Sequence, residues 1–146
     1  MSPEVALPMA ASLLIPHRMP MRLVDTLLSV HAGCGVTESV LPRTSMMADG
    51  EGRLDEVVFM ELIAQSYAAV KGYMDLLEGK PAGEGFLVGV RHMAFTGGAH
   101  AGDLLRTSVR TVTSFGGFAV VEGSVTRGDE TVASGIIKLW IVEGGR

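Results

Sequence analysis

The stretch VVFMELIAQSYAA, residues 57–69, decides the fold of this chain because it predicts a helix that is apolar on nearly every side. A surface helix shows a single apolar stripe, whereas a helix that is apolar all round has to be buried. Asp55 can cap the start of this helix and Gly79 its end, so we predict a helix over residues 54–77. The rest of the chain must then enclose it.

The segments before this helix predict a short helix followed by a pair of strands. The short helix covers residues 5–14, and the strands cover residues 21–31 and 35–41, with a turn at Ala32-Gly33. Branched apolar residues in the two strand segments favour extended backbone, and the glycine in the turn permits a sharp reversal.

After the long helix, four β patterns follow one another at residues 86–95, 103–115, 118–128 and 131–142. Turn signals separate them as hairpins at Gly97-Gly98, Gly116-Gly117 and Gly128-Asp129. One buried helix with about six antiparallel strands predicts an α+β architecture in which a curved sheet wraps around the helix, known as the hotdog fold. The length of 146 residues suits one such domain, which we expect to span residues 1–146.

Composition and charge argue against several classes of function. The formal charge of −4, from 16 acids and 12 Lys and Arg residues, disfavours general nucleic-acid binding, which needs a positive field. No segment reaches the roughly 18 uninterrupted apolar residues of a membrane span, so we expect a cytoplasmic protein without a membrane partner. The single cysteine excludes an internal disulfide, and the four histidines lack metal-ligand spacing, so we expect no metal site and no cofactor.

Glu61 is the one carboxylate within the apolar run of the long helix, and we expect it to be buried. Burial favours the protonated form of a carboxyl group, which can then donate a proton to a leaving hydroxyl. Gln65 follows four residues later on the same helical face, where its amide can orient the carboxyl or a water molecule. The alternative for Glu61 is a salt-bridged or end-exposed helix residue, and for Gln65 an amide that satisfies backbone groups.

Three motifs together resemble those of the 3-hydroxyacyl-acyl-carrier-protein dehydratases of the FabZ type. PHRMPMRLVD, residues 16–25, resembles their PHR-x-P-hydrophobic-x-LVD segment, and ELIAQ, residues 61–65, resembles their E-x-hydrophobic-A-Q helix motif. A third segment matches at Gly89, Val90, Phe95, Gly102 and Asp103. The motifs occur in the family's order and cover most of the chain. The shorter loop and the ELIAQSYAA variant are most similar to the dehydratase-like proteins of aryl-polyene gene clusters.

This resemblance implies a hotdog homodimer whose acyl tunnels form between the subunits. The family dehydrates a 3-hydroxyacyl thioester that acyl carrier protein holds on its phosphopantetheine arm, in fatty-acid or polyene-type biosynthesis. A histidine removes the C2 proton, and the helix glutamate, here Glu61, protonates the departing hydroxyl. Acyl carrier protein and a second hotdog subunit, identical or different, are therefore the expected partners.

Two family positions differ in this sequence. The family's histidine lies in an HFPG segment fourteen residues before the glutamate, where this chain has Met47, and no histidine occurs between His31 and His92. The family has Pro-Gly at the start of the helix, where free N–H groups can polarise the thioester carbonyl, and this chain has Asp55 and Glu56. The first difference removes the expected base, and the second places carboxylates where negative charge would develop.

The resemblance also indicates neighbours for Glu61. His17, in the PHR loop by the family's tunnel, can approach Glu61 across a dimer and replace the missing histidine, or it can fix only its own turn. Substrate contacts are expected from four residues of the loop and helix: Gln65, Pro16, Val57 and Met60. Arg18 and Arg91 are candidate contacts for the acidic surface of a carrier protein, with solvated charge as the alternative.

The sequence leaves three functions open. The first is a 3-hydroxyacyl thioester dehydratase that uses Glu61 and His17 as proton carriers. The second is a hotdog acyl thioesterase, because a helix carboxylate can activate water without a histidine. The third is a non-catalytic subunit that binds acyl chains or stabilises an active dehydratase, which the missing histidine favours.

Overall fold

The computed structural model describes residues 6–81 and 83–143 of the chain. Over these residues it contains a two-residue strand, a short 3-10 helix at Ala11–Leu13, one long helix and six longer strands. In chain order, the strands and the long helix are β1 Met9–Ala10, β2 Thr26–His31, β3 Cys34–Ser39, α1 Val57–Leu77, β4 Glu84–Phe95, β5 Leu105–Phe115, β6 Phe118–Arg127 and β7 Glu130–Val142.

The strands form one seven-stranded antiparallel sheet in the order β1-β2-β3-β5-β6-β7-β4. α1 packs against one face of this sheet and contacts every strand from β2 to β7. Phe59, Leu62 and Ile63 of the helix join the inner side chains of the sheet in one hydrophobic core. The predicted α+β hotdog architecture is confirmed. No helix in the described part of the chain is long and apolar enough to cross a membrane.

Specific hydrogen bonds define both ends of α1. At the start, Asp55 Oδ1 accepts a hydrogen bond from Val57 N at 2.9 Å, as a capping side chain does. At the end, Gly79 has a left-handed backbone with φ of +70°, and Lys80 N donates to Asp75 O at 2.8 Å. This glycine-terminated end satisfies the last carbonyls of the helix. The two capping residues therefore lie where the sequence predicted them, and the helix itself begins at Val57.

Two glycines let α1 approach its neighbours closely. A Cβ atom at Gly72 would overlap the carbonyl oxygen of Leu14, which follows the 3-10 helix. A Cβ atom at Gly123 of β6 would lie 2.6 Å from the side chain of Ile63. Contacts this short leave no room for a methyl group, so glycine at these two positions fixes the distance of the helix from the chain around it.

The N-terminal segment differs from the prediction. The helix expected at residues 5–14 is wrong over its described part, because Met9–Ala10 forms a strand with β2 and only a single 3-10 turn follows. Ala11 N donates to Asp25 O at 2.8 Å. The backbone of this segment therefore forms hydrogen bonds with the chain next to β2 instead of within a helix. Residue 5 lies outside the described residues.

The strand order corrects one predicted turn. Gly97-Gly98 is not a hairpin, because β4 pairs with β7 at the sheet edge and residues 96–104 cross over to β5. Gly116-Gly117 and Gly128-Asp129 do join paired neighbours, β5 to β6 and β6 to β7. Several strand boundaries also shift, most of all in the first strand pair, where β2 begins at Thr26 and β3 ends at Ser39.

Replacing Gly72 by Ala tests the close approach of α1 to the N-terminal segment. In a helix interior alanine is favoured over glycine by about 1 kcal/mol, so an open site would gain stability. Here the new methyl group would meet the backbone of Leu14. We therefore expect the free energy of unfolding, measured in urea, to fall by roughly 1–3 kcal/mol.

Met74→Ala is the matched control, because Met74 lies on the same helix and is 42% exposed. Its effect should stay within about 0.5 kcal/mol, the usual range for surface positions. A Gly72→Ala protein that is as stable as the parent would show that the helix can move away from Leu14 at no cost.

Candidate active site

Glu61 lies in the second turn of α1, on a side of the helix that the sheet does not cover. We call this side the helix stripe; its partly exposed members are Met60, Glu61, Ala64, Ala68 and Lys71. Leu62 and Ile63 point into the core instead and are fully buried. The expectation that Glu61 is buried is therefore wrong for the single chain, in which its side chain is half-buried.

Gln65 joins Glu61 to the loop that precedes β2. Its Nε2 donates to Glu61 Oε2 at 3.0 Å and to Met21 O at 2.9 Å. Its Oε1 accepts hydrogen bonds from Leu23 N at 2.8 Å and from Val24 N at 3.3 Å. All four hydrogen-bonding positions of the amide are used, and the backbone partners fix which end is oxygen and which is nitrogen.

Gln65 has both of the roles that the sequence left open. The four-residue spacing places the amide against the Glu61 carboxyl, and the same amide satisfies buried backbone groups. The loop partners escaped sequence reasoning, because they lie more than 40 positions away along the chain. The available signal was that the PHR-to-LVD segment and the ELIAQ segment belong to one family pattern.

His17 lies in the loop before the residues that Gln65 holds. Its side chain is partly buried, and its Nδ1 atom is buried without a hydrogen-bond partner among the described residues. Arg18 fixes this turn, since its Nη1 donates to Ile15 O at 2.7 Å and to His17 O at 2.9 Å. Pro16 beside it is exposed. Within the described chain no hydrogen bond joins His17 to Glu61.

Three N–H groups at the start of α1 are already hydrogen-bonded in this conformation. The N–H of Val57 is bound to Asp55 Oδ1 at 2.9 Å, Val58 N bonds to Asp55 O at 3.0 Å, and Phe59 N bonds to Glu56 O at 3.1 Å. The side chains of Asp55 and Glu56 are exposed. The N–H groups of Val57, Val58 and Phe59 are thus already occupied, whereas that of Glu56 has no hydrogen-bond partner among the described residues.

A groove of about 530 Å³ lies beside this helix start. Met47, which stands where the family has its histidine, lines it together with Val57, Asp55 and Glu56. The wall therefore combines apolar side chains with carboxylates and the guanidinium of Arg53, and it contains no imidazole. Among the described residues no group of three or more His, Cys, Asp or Glu side chains is placed to hold a metal ion.

Arg91, the second arginine that the sequence singled out, lies far from this helix start in the fold. It belongs to β4 and lines a groove on the sheet face opposite α1, with Lys138 of β7. Arg18 and Arg91 are thus on different elements, one in the loop before β2 and one on the edge strand. The structure does not combine them into one basic patch.

Two titratable groups with shifted pKa values lie in the second half of α1. Burial raises the pKa of Tyr67. Burial of Lys71 acts to lower the pKa of its ammonium, but the hydrogen bond to Asp75 and the charges of Asp75 and Glu143 outweigh this and raise it. Lys71 Nζ lies 2.8 Å from Asp75 Oδ1, and this pair closes the far end of the helix stripe.

Comparisons with known proteins place the chain in a family. The ApeP-like family model, described as ApeP dehydratase, matches residues 9–143. The dehydratase heterocomplex ApeI:P from Xenorhabdus doucetiae is similar in structure, with a TM-score of 0.85 and 18% identity over 97% of this chain and 94% of that chain. No curated protein matches the sequence at a significant level.

Other solved structures share the fold at lower similarity. PaaI of E. coli, from the phenylacetic acid degradation operon, has a TM-score of 0.60 and 16% identity over 78% of this chain and 80% of that chain. The smu.793 protein of Streptococcus mutans, bound to acetyl CoA, has a TM-score of 0.63 and 14% identity over 90% and 97%. At such identities these likenesses show the fold alone. The family model, in contrast, covers nearly the whole sequence, and the chain belongs to the ApeP-like dehydratase family.

Proposed function

We propose that this chain acts in the removal of water from a 3-hydroxyacyl thioester held on acyl carrier protein, in polyene-type or fatty-acid biosynthesis. A base takes the C2 proton, the C3–O bond breaks, and an acid protonates the leaving hydroxyl, so that an enoyl thioester and water form. The observation that carries this proposal is the hydrogen bond of 3.0 Å between Gln65 Nε2 and Glu61 Oε2. It holds one carboxyl oxygen in place and leaves the other, which has no partner among the described residues, for substrate.

Glu61 is the proposed proton carrier, and membership of a dehydratase family supports the reaction class. A carboxyl that is held in one rotamer meets the geometric requirement of a general acid or base before its protonation is considered. Met60 and Val57 flank it on the partly exposed side of the helix. These two apolar side chains, with Pro16 of the loop, are the proposed contacts for the acyl chain.

His17 is the proposed second proton carrier. An unpaired buried nitrogen costs about 1–3 kcal/mol, so the isolated Nδ1 of His17 calls for an explanation outside the single chain. The loop that contains His17 continues directly into residues 21–24, which Gln65 binds. A substrate or a second subunit over the helix stripe would give this imidazole its partner.

A second hotdog subunit, identical or different, is the proposed partner. β4 is an edge strand with a single neighbour, β7, and its side chains Phe86, Val88 and Val90 are 50%, 53% and 42% exposed. An apolar edge of this length pairs readily with another strand. Gly85 of β4 and Ala64 of the helix stripe line one small cavity, so the edge and the stripe lie side by side. A strand added along β4 would therefore also cover Glu61.

Acyl carrier protein is the second proposed partner. Arg18 and Arg91 stay the candidate contacts for its acidic surface. Of the two, Arg18 lies next to His17, and it uses part of its guanidinium on the carbonyl of its own turn. We place the carrier protein on the Arg18 side, because Arg91 lies on the sheet face that is turned away from the helix.

Two other functions compete with this proposal. A thioesterase is favoured by the partial exposure of Glu61, which gives water access to its carboxyl. A non-catalytic subunit is favoured by Met47 in place of the family's histidine and by the bonded N–H groups at the start of α1. Mass spectrometry of 3-hydroxybutyryl and crotonyl thioesters after incubation with the protein distinguishes them. Enoyl product indicates the dehydratase, free acid the thioesterase, and neither product the non-catalytic subunit.

Glu61→Gln tests the proton carrier. The amide is nearly isosteric and can still accept the hydrogen bond from Gln65, so we expect the melting temperature to stay level or rise. Turnover should fall by roughly 10²–10⁴, the usual size of general acid–base assistance. Full activity in the variant would make the carboxyl structural.

His17→Ala extends this test to the second proton carrier. If the two groups act as a unit, His17→Ala should lower turnover about as much as Glu61→Gln does. The double variant should then be no slower than either single variant. If His17→Ala retains dehydration and Glu61→Gln abolishes it, Glu61 acts alone or with water. The mass-spectrometric product then decides between dehydratase and thioesterase.

Gln65→Leu separates the structural role of the amide from catalysis. The change leaves the N–H groups of Leu23 and Val24 buried without partners, each at a cost of about 1–3 kcal/mol. We expect the free energy of unfolding in urea to fall by roughly 2–4 kcal/mol, whereas Glu61→Gln should not lower it and should change it by less than about 0.5 kcal/mol. Equal stability of the two variants would contradict the structural role of Gln65.

Val88→Glu tests the proposed subunit contact at β4. A charge on this edge should prevent pairing with a second strand, so sedimentation velocity should show a shift from dimer to monomer. Val112→Glu is the matched control, because Val112 is 46% exposed on β5, an inner strand of the sheet. A parent protein that sediments as a monomer, or a dimer that both variants leave intact, would rule out the β4 edge.

A further inference from the structure

The sheet face opposite α1 contains a groove of about 430 Å³, which we call the outer groove. It lies over the middle of β4 and β7 and beside the turn from β5 to β6, away from Glu61 and the helix stripe. Its lining is Gly89, Val90, Arg91, Phe115, Val120, Ile136, Ile137 and Lys138. Arg91 and Lys138 are the charged members, and the other six residues are apolar or glycine.

The two cations of the outer groove differ from others on the same sheet face. Arg110 pairs with Glu122 at 2.7 Å, and Arg106 pairs with Glu38 at 3.3 Å. Neither Arg91 nor Lys138 has a carboxylate partner among the described residues. In a chain with a formal charge of −4, two cations left without acids make this groove locally positive.

Lys138 and Arg91 lie on neighbouring strands of the same sheet face. Lys138 lies opposite Gly89 in the β4–β7 pair, and Arg91 follows two residues later on the same strand. Diagonal neighbours on one sheet face are about 7–8 Å apart, within reach of two long side chains that converge on one group. Lys138 Nζ also lies 4.2 Å from the ring centroid of Phe118, a cation–π contact that holds the ammonium at the aromatic side of the groove.

We propose that the outer groove binds the anion of a free linear carboxylic acid. Its carboxylate would lie between Arg91 and Lys138, and its alkyl chain along Val120, Ile136 and Phe115. At roughly 30 Å³ for each non-hydrogen atom, the groove holds about fourteen atoms, or a chain of about ten to twelve carbons. A predominantly apolar cavity of this size with a few convergent polar groups is the usual form of a small-ligand site.

The size of the groove favours a small molecule over a protein. A standard protein interface buries about 800 Å² on each partner and uses about 20–30 residues a side, whereas eight residues line this groove. The site is independent of the proposed dehydratase function, because it lies on the opposite face of the sheet from Glu61. In this site Arg91 binds the ligand's carboxylate, a role that is separate from docking of the carrier protein.

Trp140, the single tryptophan of the chain, reports on this groove. Its ring lies 4.7 Å from that of Phe118, next to Lys138. We expect decanoate, titrated below its micelle concentration, to change the fluorescence of Trp140 in a saturable manner. Decanol, which has the same chain length and no charge, should bind at least tenfold more weakly. Raising the salt concentration should weaken decanoate binding, because the cations are partly exposed.

Lys138→Met and Arg91→Met remove the charges while keeping an apolar stem, and each should weaken decanoate binding at least tenfold. Arg110→Met is the matched control on the same sheet face and should bind like the parent, as should Glu61→Gln. Equal affinity for decanol, or unchanged binding in both groove variants, would overturn the proposal. If decanoate fails to bind and the groove variants alter the sedimentation coefficient instead, a second copy of the chain occupies the groove and the proposal is wrong.

Discussion

The side-chain amide of Gln65 is the contact on which the arrangement of the candidate site depends. It is 1% exposed, and it binds three backbone groups of the loop, at Met21, Leu23 and Val24, as well as the Glu61 carboxyl. A buried amide or backbone group that loses its partner costs about 1–3 kcal/mol, so the loop and the helix cannot separate without a large penalty. One side chain therefore sets both the path of the loop and the position of the carboxyl.

Asp25 extends this hydrogen bonding from the loop into the sheet. Its Oδ2 accepts from Val40 N at 2.8 Å, its N–H donates to Glu38 O at 3.1 Å, and its carbonyl accepts from Ala11 N at 2.8 Å. The loop is thereby bonded to the end of β3 and to the N-terminal segment as well as to the helix. The Leu-Val-Asp part of the sequence motif thus has a structural function that does not depend on catalysis.

The long helix and the last four strands could be predicted because their signals are local: an apolar run in one case and alternation with turn residues in the others. The pairing of Met9–Ala10 with β2 and of β4 with β7 could not, because contacts between distant segments leave no periodic pattern. The same division applies to the site. The contact between Glu61 and Gln65 followed from their spacing, whereas the bonds from Gln65 to the loop and the partial exposure of Glu61 did not.

The partial exposure of Glu61 contrasts with the apolar sequence around it, which predicted a fully covered helix. Hydrophobicity indicates that a helix face is covered, but it does not identify the covering chain. In α1 the sheet covers the side of Leu62 and Ile63, while Met60, Ala64 and Ala68 stay partly exposed around Glu61. Apolar side chains in such a stripe are stabilised when water is removed from them. A second subunit over the stripe would provide this burial, and it would enclose the carboxyl in the low-dielectric surroundings that favour a proton-donating acid.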